Sequence, residues 1–378
     1  MPTASRTTVT RRDIAAVFLK LGTIAFGGPA AHVAMMEDEV VVRRQWLTRQ
    51  EFLDYVGATN LIPGPNSTEL AIHIGHLCGG PTGLAIAGVC FILPAALIVA
   101  VIACLYVRFG QLPIATDVLY ALKPVVIAIV VQALVRLSRA AVKSPTLAVV
   151  GVASILATAF GVNELVVLLG AGVAMATMVR PVRAASAPLL LSAPLMTTTV
   201  PASLLAIFGL FVKTGAVLFG SGYVLLAFLR ADFVDRLHWI TDRQLLDAIV
   251  VGQITPGPVF TTATFVGYVI AGWRGAVVAT VGIFLPAFVF VALSGPLIPR
   301  LRRSATAGAA LDGVTVASLA LMAVVTWQLG RSALPDIATW VIATVSLVLL
   351  LRFRLNSAWL VAAALLAGLV LHQRPGAG

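Results

Sequence analysis

Charge is scarce in this chain of 378 residues. Only 11% of the residues are charged and 60% are apolar, with a mean hydropathy of +1.01. A soluble protein has about 25% charged residues. Its 26 basic and 15 acidic side chains cannot cover the surface of a soluble protein of this length. Intrinsic disorder requires low hydrophobicity and is excluded as well. The composition therefore indicates a polytopic membrane protein.

Recognisable catalytic and metal-binding motifs are also missing. The three cysteines, Cys78, Cys90 and Cys104, form no Cys-x-x-Cys pair. The chain has no P-loop, nucleophile elbow, HExxH or dinucleotide fingerprint. We therefore expect no cofactor, no metal site and no enzyme activity. An intramembrane enzyme is an alternative, but its candidate groups, such as Asp54 and Glu69, show no nucleophile–base pattern.

The net charge of +11 does not predict nucleic-acid binding. The arginines form short clusters between apolar stretches, such as Arg300, Arg302 and Arg303, and are not interleaved with aromatic residues on a polar face. Such clusters are typical of cytosolic loops beside membrane segments. We expect the chain to be surrounded by a lipid bilayer and to bind no nucleic acid.

Apolar stretches long enough to cross a membrane, which takes about 20 residues, fall into two groups. They are 14–36, 52–77, 82–107, 118–137 and 145–179, followed by 202–230, 244–270, 275–299, 308–329 and 335–372. Interruptions at 161–164 and 352–354 give about ten to twelve segments in an all-α membrane protein. The predicted organisation is a cytosolic tail (1–13), a first membrane repeat (14–179), a linker (180–201), a second membrane repeat (202–372) and a short tail (373–378).

The two groups of segments are copies of each other. Many pairs share a spacing of 193 residues, and the spacing becomes 192 where Leu93-Pro94-Ala95 meets Leu285-Pro286-Ala287. The pairs at 193 are Lys20 with Lys213, Gly27 with Gly220, Trp46 with Trp239, Thr48 with Thr241, Asp54 with Asp247, and Pro63-Gly64-Pro65 with Pro256-Gly257-Pro258. So many ordered matches indicate a tandem duplication.

Duplicated membrane halves are typical of transporters, which place the binding site at the interface of the repeats. Loops at equivalent positions of the two halves differ in their number of basic residues. Arg136, Arg139 and Lys143 lie in one loop of the first half, whereas the basic cluster of the second half, at 300–303, comes one loop earlier. By the positive-inside rule, the halves are predicted to be inverted relative to each other. A passive scaffold is the other alternative, and it leaves the repeat unexplained.

Pro-Gly-Pro interrupts an apolar stretch once in each half, at Pro63-Gly64-Pro65 and Pro256-Gly257-Pro258. Proline and glycine predict that a helix breaks there and starts again, with Asn66 or Ser67 as its cap and Glu69 in capping-box spacing. The free N–H groups at such a start attract anions. A structural kink is the alternative for one motif, but two matched copies favour a binding site, flanked by Thr255 and Thr261.

Two further matched pairs are candidates for substrate binding. Gly27-Gly28 and Gly220-Ser221 could expose backbone amides, although close helix packing explains glycine equally well. Lys20 and Lys213 are two of only four lysines and lie inside apolar stretches. Attraction of an anion is favoured over snorkelling of these side chains towards the membrane surface.

Three carboxylates are candidates for proton coupling. Asp54 and its equivalent Asp247 lie close to the breaks. Glu69 follows the first break at near-helical spacing with His73 and has no acidic equivalent in the second half. Such an asymmetry fits a single proton path.

These features resemble the chromate ion transporter family in its long, two-domain form. The resemblance covers roughly 14–372 and is strongest in the string from Gly252 to Thr262, GQITPGPVFTT. It implies export of chromate across the bacterial cytoplasmic membrane, driven by the electrochemical gradient. It also implies functional roles for both Pro-Gly-Pro motifs and for Gly27, Gly28 and Gly220.

The substrate and the transport mode have alternatives. Chromate-resistance members of the family tend to have Glu after the first Pro-Gly-Pro, where this chain has Asn66-Ser67. Chromate and sulfate are both tetrahedral dianions, and helix N-termini, hydroxyls and lysines would bind either. A sulfate or other small-anion carrier or channel is therefore the alternative, and a homodimer is left open.

Overall fold

The computed structural model describes residues 9–26, 28–179, 201–219, 222–294, 304–353 and 355–372. Within these ranges every regular element is a helix, which confirms the all-α prediction. Gly27, Gly220 and Ser221 lie outside the described residues. So do nearly all of the predicted linker, most of the N-terminal tail and the C-terminal tail.

The helices of the two halves follow the same order. In the first half they are α1 (Arg11–Ile24), α2 (Pro29–Glu37, extended by a π-helix Asp38–Arg43), α3 (Arg49–Thr59), α4 (Asn66–Phe109), α5 (Pro113–Ala141), α6 (Pro145–Ala159) and α7 (Glu164–Val179). In the second half they are α8 (Leu204–Val217), α9 (Leu225–Leu229, extended by a π-helix Arg230–Arg236), α10 (Asp242–Ile254), α11 (Thr262–Ser294), α12 (Ala305–Ala333), α13 (Ile337–Arg352) and α14 (Ser357–His372).

Helix α4 is a hairpin of two arms. The backbone leaves the helical conformation at Gly79 and Gly80, and Gly80 has φ +59°. Gly75 and Gly83 then lie against each other, since a Cβ on Gly75 would meet the carbonyl oxygen of Gly83 at 2.4 Å. Residues eight apart in a straight helix would be separated by about 12 Å. The turn falls between the predicted segments 52–77 and 82–107.

Helix α11 repeats this hairpin in the second half. Its turn lies at Ala271 and Gly272, where Gly272 has φ +60°, and Gly267 approaches Gly275 in the same way. The predicted boundary between 244–270 and 275–299 lies at this turn. In both hairpins glycine is required twice, because the turn needs positive φ and the two arms touch without side chains between them.

The halves are inverted relative to each other. Helices α5 and α12, which both follow the Leu-Pro-Ala arm of their half, run antiparallel. Lys143, just beyond the end of α5, lies 2.8 Å from Asp312 near the start of α12. At the opposite end, the Tyr120 hydroxyl of α5 donates to Asp336, beyond the end of α12, at 2.6 Å. This arrangement agrees with the inversion that the loop charges predict.

The halves also exchange helices. The hairpin α6–α7 of the first half packs on α12 of the second, and the hairpin α13–α14 of the second half packs on α5 of the first. Helices α1 and α8 pack on α4 and α11 of their own halves, and α4 packs on α11. The largest hydrophobic cluster draws on both halves, and a second one is built from the first half alone. The shared cluster joins the two halves.

The outer surface is suited to lipid. Four helices, α4, α5, α11 with its preceding turn, and α12, are long and apolar enough to cross a membrane. Helix α4 carries an exposed apolar stripe at every fourth residue, formed by Val89, Leu93, Leu97, Val101 and Leu105. Such a stripe lies on one face of a helix and is stable against hydrocarbon.

The inverted arrangement makes a topological prediction. In a background without the three native cysteines, Ser144→Cys and Ser304→Cys should react with a membrane-impermeant maleimide from the same side of the membrane, because Lys143 contacts Asp312. Ser332→Cys, near the other end of α12, should react from the opposite side. Labelling of intact cells against everted vesicles measures this. Reaction of Ser144→Cys and Ser304→Cys from opposite sides would exclude the inverted arrangement.

Candidate functional site

Both Pro-Gly-Pro motifs are breaks between helices, as predicted. The first lies between α3 and α4, and the second lies between α10 and the 3₁₀ turn Val259–Thr261 that leads into α11. The central glycines have positive φ, +137° for Gly64 and +87° for Gly257. Residues with a Cβ rarely adopt such conformations, so glycine is required between the two prolines.

Each break hydrogen-bonds to the opposite half. The amide of Gly64 donates to the carbonyl oxygen of Leu218 at 2.7 Å, and the amide of Gly257 donates to the carbonyl oxygen of Ala25 at 2.9 Å. The two donors are 193 residues apart, and so are the two acceptors. The two hydrogen bonds are therefore equivalent in the repeat, and each runs from one half to the other. Ala25 and Leu218 end helices α1 and α8, just before the glycine-rich turns. The two Pro-Gly-Pro breaks and the ends of α1 and α8 therefore meet at the interface of the repeats.

Small residues allow each Pro-Gly-Pro break to pack closely against the opposite half. A Cβ on Gly257 would lie 2.6 Å from the Cβ of Ala95 and 3.1 Å from the carbonyl oxygen of Gly22. A Cβ on Gly64 would lie 3.7 Å from the Cβ of Ala287. Ala95 and Ala287 are the alanines of the two Leu-Pro-Ala sequences. The repeat anchors found in the sequence thus contact one another across the interface.

A cavity of about 380 Å³ lies beside the breaks. Its walls come from both halves and are formed by Pro29, Val33, Val56, Thr59, Asn60, Pro65, Asn66, Ser67, Leu137, Gly222, Pro258, Val259 and Phe260. None of these lining residues is charged at neutral pH. The starts of α2 and α4, and of the turn that leads into α11, all lie in the wall.

The helix starts at the cavity lack side-chain caps. Gly28, Pro65 and Pro258 occupy the cap positions of α2, α4 and the 259–261 turn, and none of them makes a side-chain cap hydrogen bond. By contrast, side chains cap the starts of α1, α3, α6, α8, α10, α12 and α13. Uncapped amides and the positive ends of helix dipoles converge on this cavity, which suits an anion.

The predicted cap of α4 is wrong. Pro65, and not Asn66 or Ser67, occupies the cap position, because its extended backbone leads directly into the helix at Asn66. The Asn66 amide group donates to the Asn60 side chain at 2.7 Å and joins the end of α3 to the start of α4. The hydroxyl of Ser67 lies 3.3 Å from Nδ1 of His32. Glu69 therefore does not complete a capping box.

The two matched lysines lie outside the cavity wall. Lys20 pairs with Glu39, and Lys213 lies 3.0 Å from Asp232 and 3.3 Å from Glu164. Glu39 and Asp232 are themselves 193 residues apart, so the pairs are equivalent. The hydrogen bond from Lys20 lowers the pKa of Glu39, whereas burial raises the pKa of Asp232 against the opposing effect of Lys213. Both lysines are positioned to join helices.

The proton-coupling candidates have three different environments. Asp54 is exposed, whereas its equivalent Asp247 is completely buried. Lys123 Nζ lies 2.8 Å from Asp247 Oδ1, and the Tyr106 hydroxyl donates to Oδ2 at 2.9 Å. Glu69 is also completely buried, and neither carboxyl oxygen has a hydrogen-bond partner.

The cavity is asymmetric with respect to the repeat. Val56, Thr59 and Asn60 of α3 line it, but their equivalents Ile249, Gly252 and Gln253 of α10 are not in the wall. On the α10 side, the contacts between Lys123, Asp247 and Tyr106 join α5, α10 and α4. The cavity wall thus includes α3 but not its equivalent α10.

The structure brings together part of the predicted set. Pro65, Asn66, Ser67 and Pro258 line the cavity. Pro63, Gly64, Pro256 and Gly257 form the breaks behind it, and Gly28 caps α2 beside the Tyr223 hydroxyl. The hydroxyls of Thr255 and Thr261 donate to the carbonyl oxygens of Val251 and Pro258 and are occupied there.

Sequence reasoning missed several lining residues. Asn60 contributes a polar side chain, and Phe260 and Gly222 contribute part of the wall from the second half. Asn60 could have been found, because its equivalent 193 residues later is also an amide, Gln253. Leu137 of α5 gives no such signal, because its place depends on the packing of the long helices.

Comparison with known proteins identifies the family. The family model described as chromate transporter matches twice, over residues 12–176 and 205–369. The chain belongs to the chromate transporter family. It is 34% identical over 377 residues to the chromate transport protein of Cupriavidus metallidurans, covering 97% of this chain and 94% of that protein.

Other members of the chromate transporter family are similar over most of their length. A probable chromate transport protein of Synechococcus elongatus is 31% identical, over 89% of each chain. The chromate transport protein of Pseudomonas aeruginosa is 31% identical, over 83% of this chain and 80% of that one. No solved structure matches the chain. The family and the apolar helices together establish a multi-pass membrane transport protein.

Because Gly257 packs tightly against the opposite half, adding a single methyl group there should reduce the stability of the fold. Gly257→Ala would place a Cβ against Ala95 at a residue with positive φ, and should destabilise the fold by about 2 kcal/mol or more. Gly209→Ala in α8 meets open space and should be neutral or slightly stabilising. Thermal unfolding of both purified variants in detergent measures this. Equal melting temperatures would contradict the assigned geometry.

Proposed function

We propose that the protein is a secondary active transporter that exports an inorganic oxyanion, chromate first of all, across the bacterial cytoplasmic membrane. The substrate would bind in the cavity beside the two Pro-Gly-Pro breaks. One observation carries the proposal: uncapped helix starts from both inverted halves converge on a single cavity at their interface. Repeats that meet at broken helices are the usual architecture of a substrate site in secondary transporters.

The chemistry of the cavity favours a tetrahedral dianion over a cation. Its lining residues contribute backbone amides, the Ser67 hydroxyl and the Asn60 and Asn66 carboxamides, and no carboxylate. The Thr59 hydroxyl is occupied, because it donates to the carbonyl oxygen of Val56. Amide donors and helix dipoles stabilise negative charge without a fixed counter-ion. A site of this kind holds an anion firmly enough to select it and weakly enough to release it. The described cavity lies within one chain, so the proposal needs no dimer.

The asymmetry of the cavity supports alternating access. Asp54 is exposed on α3, which lines the cavity, while the equivalent Asp247 is buried on α10, which does not. Inverted repeats can exchange such conformations, so that the second half opens as the first half closes. In the exchanged state the contacts of Asp247 with Lys123 and Tyr106 would break and open a path past α10. The substrate would then leave on the other side of the membrane.

Chromate is proposed ahead of other oxyanions because the similar proteins from Cupriavidus metallidurans and Pseudomonas aeruginosa are named chromate transport proteins. Sulfate is the second candidate, since it has the same shape and charge as chromate. A channel is the alternative mode. Competition by sulfate distinguishes the substrates, and the absence of accumulation against a gradient would indicate a channel.

A carboxylate placed at the start of α4 tests the site. Ser67→Asp would satisfy the free helix start by itself and keep the protein folded, but it would repel a dianion. Chromate uptake into everted vesicles should fall by about tenfold or more at low substrate concentration. Ser304→Asp is the matched control, because Ser304 is an exposed helix cap that is not part of the cavity wall.

The outcomes of this test are distinct. Loss of uptake in Ser67→Asp with unchanged uptake in Ser304→Asp supports the site. Normal uptake in both variants would remove the start of α4 from the substrate path. Chromate uptake that is absent in the unaltered protein, with sulfate transported instead, would replace chromate by the second candidate.

A further inference from the structure

Glu69 is a completely buried carboxyl group without a partner. Its relative exposure is 0%, and both carboxyl oxygens lack a hydrogen bond. Among the described residues, no lysine, arginine or histidine nitrogen lies within salt-bridge distance of it. The other buried carboxylates in the described part of the chain all face a basic side chain: Glu39 faces Lys20, Glu164 and Asp232 face Lys213, and Asp247 faces Lys123.

Glu69 lies directly behind the cavity wall. A Cβ on Gly64 would meet Oε1 of Glu69 at 2.3 Å, so the carboxyl group rests on the glycine of the first break. Pro65 and Ser67, which lie between Gly64 and Glu69 in the chain, line the cavity. The carboxyl group is therefore close to the proposed anion and in contact with the segment that bonds to Leu218 of the opposite half.

The surroundings of Glu69 provide polar atoms but no neutralising charge. On α4 itself, the hydroxyl of Thr68 and Nε2 of His73 are also buried without partners. The His73 ring lies 5.5 Å from the Tyr55 ring of α3, centroid to centroid, and is tilted by 37° against it. The helices packed on α4 carry the following titratable and charged residues: Arg11, Arg12, Asp13 and Lys20 on α1, His32 and Glu37 on α2, Arg49, Glu51, Asp54 and Tyr55 on α3, Asp242, Arg243 and Asp247 on α10, and Tyr268 and Arg274 on α11. On α4 itself the others are His76, Cys78, Cys90, Cys104, Tyr106 and Arg108. Of these, His32 is bonded to Ala25 and Ser67, Lys20 to Glu39, and Asp247 to Tyr106.

Electrostatics then fixes the state of this group. An ionised carboxylate buried without a cation or donors is strongly destabilised, so Glu69 holds a proton in this conformation. A dianion in the neighbouring cavity would disfavour the ionised form further. Occupation of the cavity and protonation of Glu69 must therefore favour each other, because the two effects are thermodynamically linked.

We propose that Glu69 is the proton-binding group of the transport cycle and that each oxyanion binds together with one proton held there. This inference rests on the proposed function and adds its coupling ion. Above the pH at which the anion-free protein loses this proton, Glu69 takes it from water when the anion binds and forms the O–H bond of the neutral acid, and the proton returns to water when the anion leaves. The equivalent residue in the second half is Thr262, whose hydroxyl donates to Val259, so one proton site is present per pair of breaks.

This coupling sets the charge that crosses the membrane. A dianion that moves with one proton carries a net single negative charge. Export of that charge is favoured by a membrane potential that is negative inside. Transport should therefore respond to the membrane potential and also to pH on the side where the anion binds.

Titration calorimetry of the purified full-length protein tests the proposal. Chromate binding is measured in buffers of different ionisation enthalpy, at pH values above the midpoint at which Glu69 loses its proton in the anion-free protein, where chromate is also fully the dianion. The unaltered protein should take up about one proton per chromate, and its affinity should fall by about tenfold per pH unit. E69Q should bind chromate with no proton uptake and with an affinity independent of pH. If E69Q does not fold, the same measurement is made on E69T, which introduces the threonine that stands at the equivalent position, Thr262.

Control variants separate Glu69 from its neighbours. E51Q replaces an exposed capping glutamate by the residue that stands at the equivalent position, Gln244, and should retain the uptake of one proton. H73Q should retain it as well. Loss of proton uptake in H73Q with retention in E69Q would assign the proton to His73 and overturn the proposal.

The calorimetry distinguishes a failure of the role of Glu69 from a failure of the anion site. Binding of chromate or sulfate without proton uptake by the unaltered protein would overturn the role of Glu69 and leave the anion site standing. Absence of binding of both anions would overturn the proposed function together with the inference that rests on it.

Discussion

Two buried backbone hydrogen bonds, from Gly64 to Leu218 and from Gly257 to Ala25, are the constraint on which the rest of the structure depends. Broken helices within a membrane leave amides without partners, and lipid offers none. Each half supplies the missing acceptor for the other, so neither break is satisfied alone. This mutual dependence explains why the motif occurs twice and why small residues, Ala95 with Gly22 and Ala287, face the two glycines across the interface.

The same constraint produces the anion site. Pro65 and Pro258 hold the chain extended up to the helix starts and provide no side-chain cap, so the first amides remain available. Positive potential then comes from the backbone, and the intramembrane lysines join helices through Glu39 and Asp232 instead. Backbone donors suit a ligand that must be released, because they bind it without a permanent opposite charge.

The sequence predicted what depends on local chemistry. The breaks, the segment boundary at Gly79–Gly80 and the inverted repeat follow from proline, glycine and charge placement, and all appear in the structure. Contacts between distant helices could not be predicted. The partner of Lys123 is 124 positions later in the chain, at Asp247, and the exchange of α6–α7 with α13–α14 leaves no local pattern. The capping prediction at Asn66 was wrong because proline itself took the cap position.

The location of the bound anion tests this account most directly. A structure determined with chromate, with the chromium located by its anomalous scattering, would show it without ambiguity. The account predicts chromium in the cavity between Pro65 and Pro258, with chromate oxygens bonded to the amides of Asn66 and Ser67 at the start of α4. Chromium beside Lys20 or Lys213, with this cavity empty, would contradict it.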